Sequence, residues 1–237
     1  MIKKSVFAGI WFFCILNFNA FSDEIFNAKV YASDDSTKTV LYNYKATKTV
    51  KDSIVTLSHS YTTLSGDLFA IEKIVLNNNN LALYEMKFPL LNEASSITPV
   101  DDKVEIFFER DKKQKSKLIS MPDDLVYGPT FQDFITENLE KLKKGEKIKF
   151  SLPAPEFQRT VYFKIKKTEN SQYAKPGSMV IEMKTTNILL WFIAKPIQYC
   201  LDEGTGIIKE IHGPTLLKRQ VKGKWEYFDS DIYITYE

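Results

Sequence analysis

Cysteine is almost missing from this 237-residue chain: Cys14 and Cys200 are the only two. Cys14 sits inside an apolar N-terminal run without the small residues that would precede a lipidated cysteine. Once that run is removed Cys200 stands alone, which excludes an intramolecular disulfide, so stability must come from a core. Glycine is scarce as well, at nine residues. No Gly-x-Gly-x-x-Gly, no phosphate-cradling loop and no Gly-x-Ser-x-Gly elbow occurs, which excludes the common nucleotide-binding and serine-hydrolase signatures. Histidine is limited to His59 and His212, so acid–base chemistry and imidazole metal ligation have little to draw on.

The N-terminus carries what the rest lacks. Lys3 and Lys4 precede an uncharged, mostly apolar run from 5 to 18 centred on Trp11, Phe12, Phe13, Ile15 and Leu16, and Ala20-Phe21-Ser22 places small residues where a signal peptidase reads them. Fourteen residues interrupted by Asn17 are too few for a spanning helix, which needs about 18 or more. Residues 1–22 therefore read as a cleaved signal peptide and 23–237 as a single β-rich domain. Cleavage removes two of 32 basic side chains and none of 30 acidic ones. The mature chain is formally neutral, with no field to gather nucleic acid or anionic lipid. Peripheral membrane contact is the most it implies, because no later segment is long and apolar enough to span. Abundant lysine, asparagine and isoleucine, as in AT-rich bacterial genomes, point to the periplasm.

What is present is β-forming sequence. Over 29–108, β-branched and aromatic residues dominate at period two: Val40, Tyr42 and Tyr44 alternate with Leu41, Asn43 and Lys45, Ile54, Thr56 and Ser58 with Val55, Leu57 and His59, and Phe69, Ile71 and Lys73 with Ala70, Glu72 and Ile74. Turn-forming stretches at 51–52, 65–67, 77–80 and 101–102 separate them, giving a meander of about six strands. Residues 111–117 are strongly charged and read as an exposed hairpin end.

One segment breaks the pattern. Phe131, Phe134, Ile135, Leu139 and Leu142 recur at helical spacing, polar residues fill the opposite face, Thr130 offers an N-cap and Gly145 a stop. This predicts one amphipathic helix over 130–144. Strand patterns resume at 147–152, 160–167, 178–184, 197–201, 206–211, 216–221 and 225–236. Residues 188–194 form an apolar run read as a short helix ended by Pro196. The expected fold is α+β, mainly β: one large curved antiparallel sheet, a half-barrel, with the helix on its concave face. A closed barrel is the rival.

Each chemical candidate has a plain structural reading. His59 reads as a strand-surface side chain and His212 as the opening of a turn through Gly213-Pro214-Thr215. Cys200 lies in a strand context without a neighbouring base and reads as a buried, inert thiol. The pairs Asp101-Asp102, Asp123-Asp124 and Asp202-Glu203 fall at turns, where aspartate bonds its own backbone. No catalytic residue, metal or cofactor is expected. What remains is a hollow that the helix and 188–194 either fill or wall, with Phe131, Phe134, Ile135, Leu139, Leu189, Trp191 and Phe192 as the cavity candidates.

The stretch Leu125-Val126-Tyr127-Gly128-Pro129-Thr130-Phe131, the helix ending Lys144-Gly145, and Thr160-Val161-Tyr162-Phe163-Lys164-Ile165 together resemble a family of uncharacterised bacterial secreted proteins. Lys195-Pro196-Ile197 and Glu210-Ile211-His212-Gly213 extend that resemblance over the second half of the chain. It implies turn, helix and strand but no activity. At fold level the arrangement also resembles the half-barrel lipoprotein carriers of the LolA type. The function expected is binding of an apolar or lipid-like ligand, or of an envelope protein partner, without catalysis. A structural or protein-interaction module with a filled core, and a hydrolase using strand-borne carboxylates, are the alternatives.

Overall fold

The structure, a computed structural model, describes residues 21–186 and 195–236. Residues 1–20 of the expected signal peptide and the 188–194 run, with Leu189, Trp191 and Phe192, lie outside the described residues. Among the described residues strand pairing begins at Phe21, opposite Val50, two residues before the expected start of the mature chain.

Eight strands follow one another as antiparallel hairpins: β1 (Phe21–Ala32), β2 (Val40–Lys51), β3 (Ile54–Thr62), β4 (Leu68–Asn77), β5 (Asn80–Phe88), β6 (Glu93–Val100), β7 (Lys103–Arg110) and β8 (Lys113–Ser120). The helical segments α1 (Phe131–Glu137) and α2 (Leu139–Lys143) come next. A second meander then runs through β9 (Ile148–Ala154), β10 (Arg159–Lys167), β11 (Ser178–Thr185), β12 (Ile197–Asp202), β13 (Ile208–Val221) and β14 (Lys224–Thr235). β14 returns to pair with β1, so the order across the single sheet is β8-β7-β6-β5-β4-β3-β2-β1-β14-β13-β12-β11-β10-β9.

Tight turns set this register. Asn78-Asn79, Asp111-Lys112 and Lys222-Gly223 hold positive φ at both central positions, the geometry whose twist matches that of the flanking strands. Asp111-Lys112 therefore reverses the chain, and the charged stretch read as a hairpin end forms an edge strand instead. Lys113, Lys115 and Lys117 on β8 are exposed, a charge pattern that discourages further pairing.

The sheet does not close, because β8 and β9 do not pair. Its ends nevertheless meet: Arg110 pairs with Glu156 at 2.9 Å, and Lys115 donates to the Glu156 carbonyl. After β8, Val126 donates to Ser151 O and Ser151 to Asp124 O, both at 2.9 Å, which covers part of the β9 edge. Fourteen strands are thus bent round a common interior.

The helix packs into that interior. Phe131, Ile135, Leu139 and Leu142 are buried with Phe150, Ile165, Ile181 and Leu201 in one cluster, and two further clusters occupy β1–β2–β14 and β3–β7. The predicted single helix is broken at Asn138, whose side-chain amide donates to Phe134 O at 2.9 Å. A side chain competing with the backbone in this way interrupts the helical ladder. The stop is as expected: Gly145, at φ +77°, donates to Leu142 O and Glu146 to Lys141 O, the paired bonds of a Schellman cap.

β13 passes straight through His212-Gly213-Pro214-Thr215, where the sequence predicts a turn. Gly213 holds φ +128°, and a Cβ there would lie 2.8 Å from Pro196 O. The Gly-Pro pair produces a register shift between Pro214 and Lys218 rather than a turn.

Candidate functional site

Period-two alternation decides which side chains enter the hollow. Tyr44 pairs with Tyr61, Ala46 with His59, His59 with Glu72 and Leu57 with Ile74, so one inward face carries all of them. Between this face, the inner face of β11–β14 and the start of α1 lies a cavity of about 380 Å³. Its wall is mainly apolar, with Phe26, Leu57, Met183, Ile208, Ile211 and Ile234, and Pro129 and Phe131 cover it. His59, Tyr61, Glu72, Tyr199 and Tyr236 also reach it, while Lys48 and Asp133 line it from exposed positions.

Glu72 is the unusual member. Its Oε1 accepts from the Tyr84 hydroxyl at 2.8 Å and from the Gly128 N–H at 3.2 Å. Burial pushes its carboxyl up to about 7, against the pull of those two donors. A Cβ on Gly128 would fall within the Glu72 carboxylate, so glycine is what lets the two meet. His59 lies opposite, with its Nδ1 2.9 Å from the Tyr44 hydroxyl, and burial holds it down to about 4. Tyr44 stacks on Tyr61 with ring centroids 4.4 Å apart and planes 2° from parallel. Burial thus favours the uncharged form of both groups.

A second cluster forms on the opposite face. Tyr199 and Ile211 point into the cavity, so their neighbours Cys200, Glu210 and His212 point outward. Cys200 pairs in register with Glu210, and His212 with Asp231. The His212 ring is 2% exposed, with Nδ1 2.8 Å from Asp231 Oδ1 and Nε2 3.1 Å from Glu210 Oε2. Tyr173, from the 168–177 connection, stacks on it with centroids 3.6 Å apart and planes 1° from parallel. Burial pushes the Cys200 thiol up to about 11, the wrong direction for a nucleophile.

No protein-family model matches the chain, and no curated protein matches it. Two solved structures are similar. One is the crystal structure of a β-barrel-like protein of domain of unknown function DUF1849 from Brucella abortus, at TM-score 0.43 and 8% identity, covering 90% of this chain and 96% of that one. The other is a porin-like protein from Bacteroides uniformis, at TM-score 0.25 and 11% identity with the same coverage.

Of the sequence-predicted cavity residues, Phe131 lines the hollow. Ile135 and Leu139 are buried in the helix cluster, and Phe134 packs against it, 5.0 Å from Phe150 between centroids. Leu189, Trp191 and Phe192 lie outside the described residues. His59 faces the cavity rather than the outer strand surface. Sequence reasoning missed Glu72, although a signal existed: it occupies the inward phase between Ala70 and Ile74, where a carboxylate needs a partner. The acidic pairs stay at turns. Asp202 Oδ1 accepts from both the N–H and the hydroxyl of Thr205 at 2.8 Å.

Proposed function

We propose that this chain is a non-enzymatic periplasmic binding protein that takes one apolar or lipid-like molecule into the hollow between α1 and the sheet. The observation that carries this reading is the cavity itself. Its volume of about 380 Å³ lies within the range of about 300 to 1,000 Å³ usual for small-molecule pockets. The apolar wall suits an acyl or ring system, and the hydroxyls of Tyr61 and Tyr199 with Glu72 offer orientation for a single polar end. The half-barrel carriers of the LolA type are the fold-level analogy. The cleavable N-terminus supports export, and the neutral mature chain supports an uncharged ligand over nucleic acid.

The hydrolase alternative has one specific observation behind it, the His212 ring between Glu210 and Asp231. That ring is 2% exposed and stacked under Tyr173, which favours binding over catalysis.

Native mass spectrometry and solvent extraction of the protein purified from its own periplasm test the proposal, alongside uptake of a polarity-sensitive dye. A co-purifying apolar species is expected, with dye uptake reduced at least tenfold by Ile211→Trp while the unfolding transition stays cooperative. Absence of both the species and dye uptake overturns it.

A further inference from the structure

Three different donor atoms meet on the outer face of β12 and β13. The Cys200 thiol, a Glu210 carboxylate oxygen and a His212 ring nitrogen all lie within 4.8 Å of one another. The thiol is 2% exposed, and its contact with the Tyr173 carbonyl is long, at 3.7 Å. Asp231 holds Nδ1 of His212, which turns Nε2 towards Glu210. Lys175 pairs with Glu210 Oε1 and leaves Oε2 on the imidazole side. Tyr173 fixes the plane of the imidazole from above.

We propose that Cys200, Glu210 and His212 bind a zinc ion, with Asp231 as the positioning residue of the histidine ligand. The donor set selects the metal. One sulfur, one imidazole nitrogen and one carboxylate oxygen form the mixed tetrahedral environment zinc accepts, whereas calcium and magnesium require oxygen throughout. A tetrahedral zinc with bonds of about 2.1 Å separates nitrogen and oxygen donors by about 3.4 Å, so the 3.1 Å between His212 Nε2 and Glu210 Oε2 needs only a small opening. The carboxylate–imidazole–metal line, with Asp231 on the far nitrogen, is the usual means of fixing a zinc-bound histidine. A thiolate, two carboxylates and the Lys175 ammonium leave two formal negative charges, matched by a divalent cation. The site uses no residue of the cavity, and the ion would tie β12 to β13 through Cys200 on one and Glu210 and His212 on the other.

Zinc alone is the probe. The purified chain, stripped with chelator, is titrated with zinc against a chromogenic competitor, and separately with cobalt. One equivalent of zinc per chain and a near-ultraviolet thiolate-to-cobalt charge-transfer band are expected. Cys200→Ser abolishes the band, His212→Gln lowers zinc affinity at least 100-fold, and Asp231→Asn lowers it 10- to 100-fold while keeping the band. Zinc uptake unchanged by Cys200→Ser, or a cobalt complex of the unsubstituted chain without the band, overturns the proposal. The cobalt spectrum decides even where a variant fails to fold.

Discussion

His59 on β3 stands in register with Glu72 on β4, and the two titrate in opposite directions away from their ordinary values. Glu72 is raised from 4.5 to about 7 and His59 lowered from 6.5 to about 4, both chiefly by burial. Below pH 7 the folded state holds a proton on Glu72 that the unfolded chain has released, so this group lowers stability as pH rises from 4.5 to 7. His59 does the reverse: the unfolded chain binds its proton more readily, so stability rises as pH increases from 4 to 6.5. Each contribution is on the order of 1 to 3 kcal/mol, and they oppose each other. Glu72→Gln is expected to leave a net rise in urea midpoint between pH 4 and 6.5 relative to the unsubstituted protein. His59→Gln leaves a net fall between pH 4.5 and 7. Profiles parallel to the parent in both variants would contradict the assignment.

Gly128→Ala should destabilise the chain by roughly 1 to 3 kcal/mol, the usual cost of overpacking. The added methyl can be admitted only if the Glu72 carboxyl rotates off its bonds to Tyr84 and Gly128. A double-mutant cycle checks this: the same substitution in a Glu72→Ala background is expected to cost distinctly less.

Gln132 fastens α1 to the sheet. Its Nε2 donates to Gly206 O at 3.1 Å and its Oε1 accepts from Ile208 N–H at 2.9 Å. Gln132→Ala strands a partly buried backbone donor, at a cost of about 1 to 3 kcal/mol. Amide exchange should accelerate at Ile208 more than along β3 or β4.

Among the described residues the Tyr127 hydroxyl is buried without a hydrogen-bond partner, although its ring packs 4.9 Å from that of Tyr84. Tyr127→Phe is expected to raise stability by about 1 kcal/mol, because it removes an unpaid desolvation cost and keeps the ring. A fall in thermal midpoint would show that the hydroxyl has a partner in solution.

Most of the sheet was legible in the sequence, because inward positions such as Tyr42, Tyr44, Leu57 and Ile74 are large and apolar and the turns between them use asparagine and aspartate. β6 was missed, which is why the first meander has more strands than expected. One of its inward residues is Ser95, paired with Met86, which leaves the alternation without apolar contrast. β8 was hidden by its lysines, since an edge strand facing solvent has no hydrophobic phase to read. Gly213-Pro214 looked like a turn because a bulge and a turn use the same residues. In the site, Phe131 was visible from the helical stripe. Glu72 and the Cys200–Glu210–His212 group were not, because their meaning lies in cross-strand register, which brings together residues that are far apart in the chain.

The pairing of β1 with β14 joins Asn27 to Thr235 and Ala32 to Ser230. Every other neighbouring pair in the sheet is a consecutive strand, made from contacts close in sequence. This one contact spans nearly the full chain, and it lies at the middle of the strand order. Two half-sheets can therefore zip locally and fast, while the joint between them waits for the slowest search. Until it forms, β1 and β14 each present a bare edge, and the two halves of the cavity wall belong to separate bodies. A nascent or partly unfolded chain is thus open to exchange of a half-sheet with a second copy, a swapped dimer that would rebuild the same interior from two polypeptides.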